Sequence, residues 1–128
     1  MPFSNDVNEN STYKYSATLL DENGDAIALA SINSIKMTLI DTITGNIINS
    51  RDGQDVKNTN DCTMGSTDGE FVWNVQIEDT TIESPLAIPT NKRETHLATV
   101  SVLWASSTKQ VNHEIVLKVL NMTSVPQT

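Results

Sequence analysis

A chain of 128 residues and 14.0 kDa is the size of one domain, and folding at that length buries about two-thirds of the unfolded surface, enough for a core without metals or disulfides. Its 16 acidic and 8 basic residues leave a net charge of -8, the wrong sign for nucleic acid or an anionic membrane surface, whose binding draws on a basic excess. Cys62 is the one cysteine, so there is no internal disulfide and no multi-cysteine zinc site; no run of about 18 apolar residues crosses a membrane.

The first eleven residues are polar apart from Phe3 and Val7. They are expected to form an extended N-terminal arm, with Phe3 available to clip onto a neighbour and order on binding. The segment has neither the basic start nor the apolar stretch of a secretory signal, so a chain made and used without export is expected. The domain itself is placed at 12–122 and a C-terminal tail at 123–128.

From Thr12 to Leu20 the pattern alternates, with Tyr13, Tyr15, Ala17 and Leu19 on one face and Lys14, Ser16 and Thr18 on the other. Period two marks a strand with one dry side. Asn23-Gly24 then signals a tight turn, because both positions accept positive φ. Ala26 to Ala30 is apolar and of undetermined type. Ser34 to Asp41 is a second alternating strand, with Ile35, Met37 and Leu39 together; residues 42–46 are a hairpin loop, Ile47 to Ser50 its return strand, and Arg51-Asp52-Gly53 a turn.

Residues 54–69 read as a long polar surface connection with one short strand near Cys62 to Met64. Glu70 to Ile77 is a strand with Phe71, Trp73, Val75 and Ile77 inward. Residues 78–94, with Pro85 and Pro89, read as a crossing loop with one helical turn, and Asn91-Lys92-Arg93 as a solvated loop.

The last hairpin pairs Thr95–Ala105 with Val111–Met122 about a turn at Ser106–Gln110. Setting Trp104 opposite Val111 puts His113 opposite Val102 and gathers Ala98, Val100, Val102, Trp104, Val111, Ile115, Leu117 and Val119 on one apolar face. A one-residue slip would pair that face with Ser101, Glu114 and Lys118. Seven or eight short strands with turn signals between them, and no helical stripe of ten residues, point to an all-β antiparallel sandwich, with a small barrel as the alternative.

No constellation for catalysis emerges, and no catalytic, cofactor-binding or metal-binding residue is assigned. A triad needs a histidine beside a nucleophile and an orienting acid. Of the two histidines, His113 lies on the dry face as a hydrogen-bonded core residue, and His96 sits about 20 Å away in the expected register, too far to share a metal. Asp21-x-Asn23-x-Asp25 opens like a calcium loop, but Ala26 stands at the glycine position and Ile32 at the acidic one; Asp52, Asp55 and Asp61 are the remaining acids for a hard cation. Asp68 with Glu70, or Glu78 with Asp79, are arbitrary as glycosidase pairs. Cys62, beside Asp61, is expected to be structural. Trp73 and Trp104 fall on core positions, where they pack, instead of on a sugar-stacking surface.

The runs Thr12–Gly24, Met37–Gly53 and His113–Val119 together resemble a group of small Ig-like proteins of tailed phages, in order and spacing across residues 12–121. The resemblance implies an Ig-like sandwich with no enzymatic residues, located in a virion after synthesis in the host cytoplasm. It implies a place decorating or stabilising a head, neck or tail in a symmetric assembly, with other phage structural proteins as partners and neither nucleic acid nor membrane. A carbohydrate- or receptor-binding module is the alternative, and it requires exposed aromatics or ordered calcium at the loops.

Overall fold

The computed structural model describes residues 4–65, 67–82, 92–106 and 108–120. Among these, eight strands form two sheets: β1 (Ser4–Asn8), β2 (Tyr13–Thr18), β3 (Ile32–Asp41), β4 (Gln54–Asp55), β5 (Cys62–Met64), β6 (Glu70–Val75), β7 (Arg93–Trp104) and β8 (Lys109–Leu120). The larger sheet has the order β1-β8-β7-β3-β4 and the smaller the order β2-β6-β5. The chain is therefore an all-β sandwich. Every strand pairing is antiparallel except β1 with β8, which is parallel.

The alternation seen in the sequence sets the core. Ile35, Met37 and Leu39 of β3, Phe71, Trp73 and Val75 of β6, and Ala98, Val100 and Val102 of β7 are all at most 1% exposed. Period-two side chains share a face, so these residues meet between the sheets, joined by Ile115, Leu117 and Val119 of β8.

Five expectations need correction. The hairpin register is displaced by two residues: Trp104 lies opposite Lys109, and Val102, not Trp104, opposite Val111. The connection is the short loop Ala105–Thr108, closed by Thr108 N–H to the Ala105 carbonyl at 3.2 Å, with Ala105 and Ser106 both left-handed (φ 54 and 57). An even displacement keeps every side chain on its face, so the apolar surface survives intact. Part of the expected arm is a strand: β1 lies along β8 with Val7 buried, while Phe3 falls outside the described residues.

The expected return strand at Ile47–Ser50 is reduced to a single bridge between Ile40 and Ile47, because Asn49 and Ser50 adopt positive φ (53 and 55) and turn Arg51 into the interior. Ile77 leaves β6 for a 3-10 turn (Ile77–Asp79) and is 36% exposed, and Arg93 opens β7 instead of sitting in a loop. Pro85, Pro89, Asn91 and the 123–128 tail lie outside the described residues.

The passage from one sheet to the other is pinned by Thr80. Its carbonyl accepts from Asn10 N–H at 3.1 Å, and its hydroxyl accepts from Ser11 N–H at 2.9 Å. Asn10, at φ 51, makes the bend between β1 and β2.

Candidate functional site

The chemically capable side chains gather inside one end of the sandwich. Asp41, Arg51, Asp79, Thr80, Glu94 and His96 are buried, none more than 1% exposed. They arrive from four places: the end of β3, the loop before β4, the 3-10 turn after β6, and the start of β7. Glu94 and His96 point inward because they continue the parity of Ala98, Val100 and Val102.

Arg51 organises the cluster. Its Nε donates to Asp79 Oδ1 at 2.7 Å and its Nη2 to Asp79 Oδ2 at 3.0 Å. Nη2 also reaches Asp61 Oδ2 at 2.8 Å, while Nη1 donates to Gln54 Oε1 at 2.7 Å and to the Asn60 carbonyl at 3.0 Å. A guanidinium has five N–H donors, and all five are used. Asp79 in turn accepts from Asn49 Nδ2 at 3.0 Å and from Gln76 N–H at 2.8 Å. Burial opposes the charge on Arg51, but the hydrogen bonds and charges of Asp79, then Asp61, outweigh it and hold its pKa above the ordinary value. The guanidinium also lies 5.7 Å from the centre of the Trp73 ring.

His96 connects this network to β7. Its Nδ1 is 2.9 Å from the Asp79 carbonyl, an atom that only accepts, so the hydrogen sits on Nδ1. Its Nε2 is hydrogen-bonded to Glu94 Oε1. Asp41, opposite His96 in the β3–β7 register, accepts from Ile43 N–H at 3.0 Å and Thr44 Oγ1 at 2.9 Å.

A histidine held by a carboxylate is the orienting half of many catalytic sites, but a general base must also reach a substrate proton. His96 and Glu94 are both 0% exposed. Neither the cavity between β2 and β8 nor the one on the outer face over Lys36, Leu103 and Gln110 is lined by any member of the cluster. The arrangement can clamp these loops together, and among the described residues its buried members Asp41, Arg51, Asp79, Thr80, Glu94 and His96 are at most 1% exposed.

The other sequence candidates are dispersed. Trp73 and Trp104 are 0% and 7% exposed, which removes both as stacking platforms. Cys62 is buried on β5, opposite Trp73 of the neighbouring strand β6, and its thiol is pushed up to about 12, chiefly by burial, with Arg51 lowering it and Asp61 and Asp79 raising it. Asp21 folds back on its own loop, its Oδ1 accepting from Asn23 and Asp25 N–H. Asp61 is committed to Arg51, Asp55 Oδ1 accepts from Lys57 N–H and Asp68 Oδ1 from Leu29 N–H. Among the described residues no three His, Cys, Asp or Glu side chains gather to hold a metal.

His113 lies apart from the polar cluster. It faces Val100 across the hairpin, four residues from His96, or about 14 Å along the strand. It lines a partly enclosed cavity of about 60 Å³ between β2 and β8, together with Tyr15, Ala17, Phe71 and Ile115. Burial lowers its pKa, against a smaller opposing effect from a backbone hydrogen bond at Leu20.

No family model, no curated protein and no solved structure matches the chain.

Proposed function

We propose that this chain is a non-enzymatic structural protein of a tailed-phage particle, an Ig-like module that decorates or stabilises the head, neck or tail by contact with other virion proteins. The observation that carries the non-enzymatic half is the saturation of the interior cluster: Arg51 spends all five donors inside the fold, and Glu94 and His96 have no exposed surface. Among the described residues the two sheets end in the strands β1, β4, β2 and β5, edges of the kind a contact module uses. The virion half is supported by the likeness of residues 12–121 to small phage Ig-like proteins.

The test is mass spectrometry of particles purified from a host carrying the gene, with the lysate supernatant as the comparison. The reading requires the chain in the particles at a copy number that is a multiple of a symmetry element. Recovery only in the supernatant, with intact particles lacking it, overturns it.

A further inference from the structure

Of the thirteen asparagines in the chain, Asn23 alone is followed by glycine. The pair sits in the loop 21–25, whose ends are joined by the bridge between Leu20 and Ala26, and both residues are exposed. The carboxamide of Asn23 has no hydrogen-bond partner among the described residues. Those of Asn10, Asn49, Asn58, Asn60 and Asn112 are each engaged.

The carbon of an asparagine carboxamide can be attacked by the backbone nitrogen of the next residue. A side chain on that residue obstructs the approach, and glycine has none. A Cβ placed on Gly24 would meet nothing within 4 Å, so the surrounding fold leaves the space open as well. Asp52-Gly53 and Asp68-Gly69 share the glycine, but a carboxylate is a far poorer electrophile than a carboxamide, and Asp68 is also held by Leu29 N–H at 3.1 Å.

Asp21 restrains the loop against this attack. Its carbonyl accepts from Gly24 N–H at 3.1 Å, which ties up the attacking nitrogen. Its Oδ1 accepts from Asn23 N–H at 2.9 Å and Asp25 N–H at 3.0 Å, and its own N–H donates to the Asp25 carbonyl at 2.8 Å. The turn must open before the nitrogen is free to turn toward the carboxamide.

We infer that Asn23 is a self-modification site of this protein, converting to aspartate and isoaspartate through a cyclic imide with Gly24, at a rate governed by the hydrogen bonds of Asp21. The Gly24 nitrogen gives its proton to hydroxide and bonds to Cγ of Asn23, and Nδ2 leaves with a proton as ammonia. Water then opens the imide. Addition at Cγ breaks its bond to the Gly24 nitrogen and leaves aspartate; addition at the backbone carbonyl carbon breaks the peptide bond and routes the chain through Cβ and Cγ. Water enters, ammonia leaves, and nothing is oxidised or reduced. Either product adds a negative charge beside Asp21, Glu22 and Asp25. Isoaspartate also lengthens the backbone inside a loop fixed at both ends, which displaces Glu22 from its bridge to Lys109 at 3.3 Å. Leu19 and Ile27, buried on either side of the loop, keep their places.

The test is peptide mapping by mass spectrometry of the intact protein during prolonged incubation at pH 8, with fragmentation to assign the site and an isoaspartyl methyltransferase to count isoaspartate. Position 23 should be the first asparagine to exchange its amide for a carboxylate, with isoaspartate among the products, and it should react faster in urea than in the native protein. Asp21→Ala should accelerate the native reaction about tenfold, the loss of one or two hydrogen bonds. Asp25→Ala removes the same charge but no hydrogen bond, since Asp25 joins the loop through its backbone, and it should change the rate far less. Earlier reaction at another asparagine overturns the site. Equal rates in native and unfolded protein, or equal acceleration by the two variants, overturn the role of Asp21. The comparison with urea uses the unaltered chain, so it decides the matter even where Asp21→Ala fails to fold.

Discussion

Arg51 and Asp79 meet at two points, Nε to Oδ1 at 2.7 Å and Nη2 to Oδ2 at 3.0 Å, in an interior where neither is more than 1% exposed. A buried pair of this kind stabilises little relative to an apolar pair of the same shape, but breaking it strands a charge. Asp79→Ala is therefore expected to lower the unfolding free energy by roughly 3–5 kcal/mol, read from the urea midpoint. Arg51→Lys should not substitute, because one ammonium lacks the planar fork that serves Asp79, Asp61, Gln54 and Asn60 together. A loss below about 1 kcal/mol for Asp79→Ala would show that the cluster does not hold the loops.

Gly69 and Gly45 separate two costs of adding a methyl group. Both have positive φ, 76 and 77. A Cβ at Gly69 would lie 2.7 Å from the Leu19 carbonyl, in a stretch fixed by Leu19 N–H bonding to the Gly69 carbonyl at 2.7 Å, whereas a Cβ at Gly45 meets nothing within 4 Å. Gly45→Ala should cost about 1 kcal/mol, the left-handed penalty alone. Gly69→Ala should cost clearly more, since backbone must move to relieve the contact. Equal thermal shifts for the two variants would contradict this.

Much of this fold was legible because strand parity is a local property. Phe71, Trp73 and Val75, or Ile35, Met37 and Leu39, announce their face by spacing alone. The hairpin register was missed by two residues because its turn uses Ala105 and Ser106 at positive φ, a region that neither residue type favours. β1 was invisible for a different reason: a strand with Val7 as its buried apolar residue has no period to detect.

The interior cluster was not legible in the sequence. Glu94 and His96 lie on the inward parity of β7, but Glu94 fell within the expected 78–94 crossing loop and neither residue was assigned to the buried face. Asp79, 28 residues from Arg51, gave no such sign. A contact between two loops leaves no periodic trace in either, and Asn49 and Ser50 had to depart from extended backbone before Arg51 could turn inward.

His113 links stability to pH in a definite direction. Burial lowers its folded pKa below the ordinary 6.5, so between that folded value and 6.5 the unfolded chain binds more protons than the native one. Its contribution is present in full above about pH 6.5 and is lost as pH falls through the folded pKa. His113→Gln should remove this part of the slope. The measurement is the urea midpoint of both proteins from pH 7.5 down to 5; parallel curves would mean that the ring is not desolvated in the fold.

Cys62 gives the opposite sign at the other end of the scale. Its folded pKa is raised from 9.0 to about 12, first by burial, then by Asp61 and Asp79 against the opposing charge of Arg51. Above pH 9 the unfolded thiol ionises while the native one keeps its proton, so native stability declines as pH rises from about 9 to about 12. Cys62→Ala should lack this decline, at the expense of a small cavity beside Trp73. The thiolate is the reactive species, so iodoacetamide at pH 8 should label Cys62 at the rate of global unfolding, and urea should accelerate labelling in step with loss of tryptophan burial. Rapid alkylation of the native protein at pH 8 would place the thiol at the surface and remove both expectations.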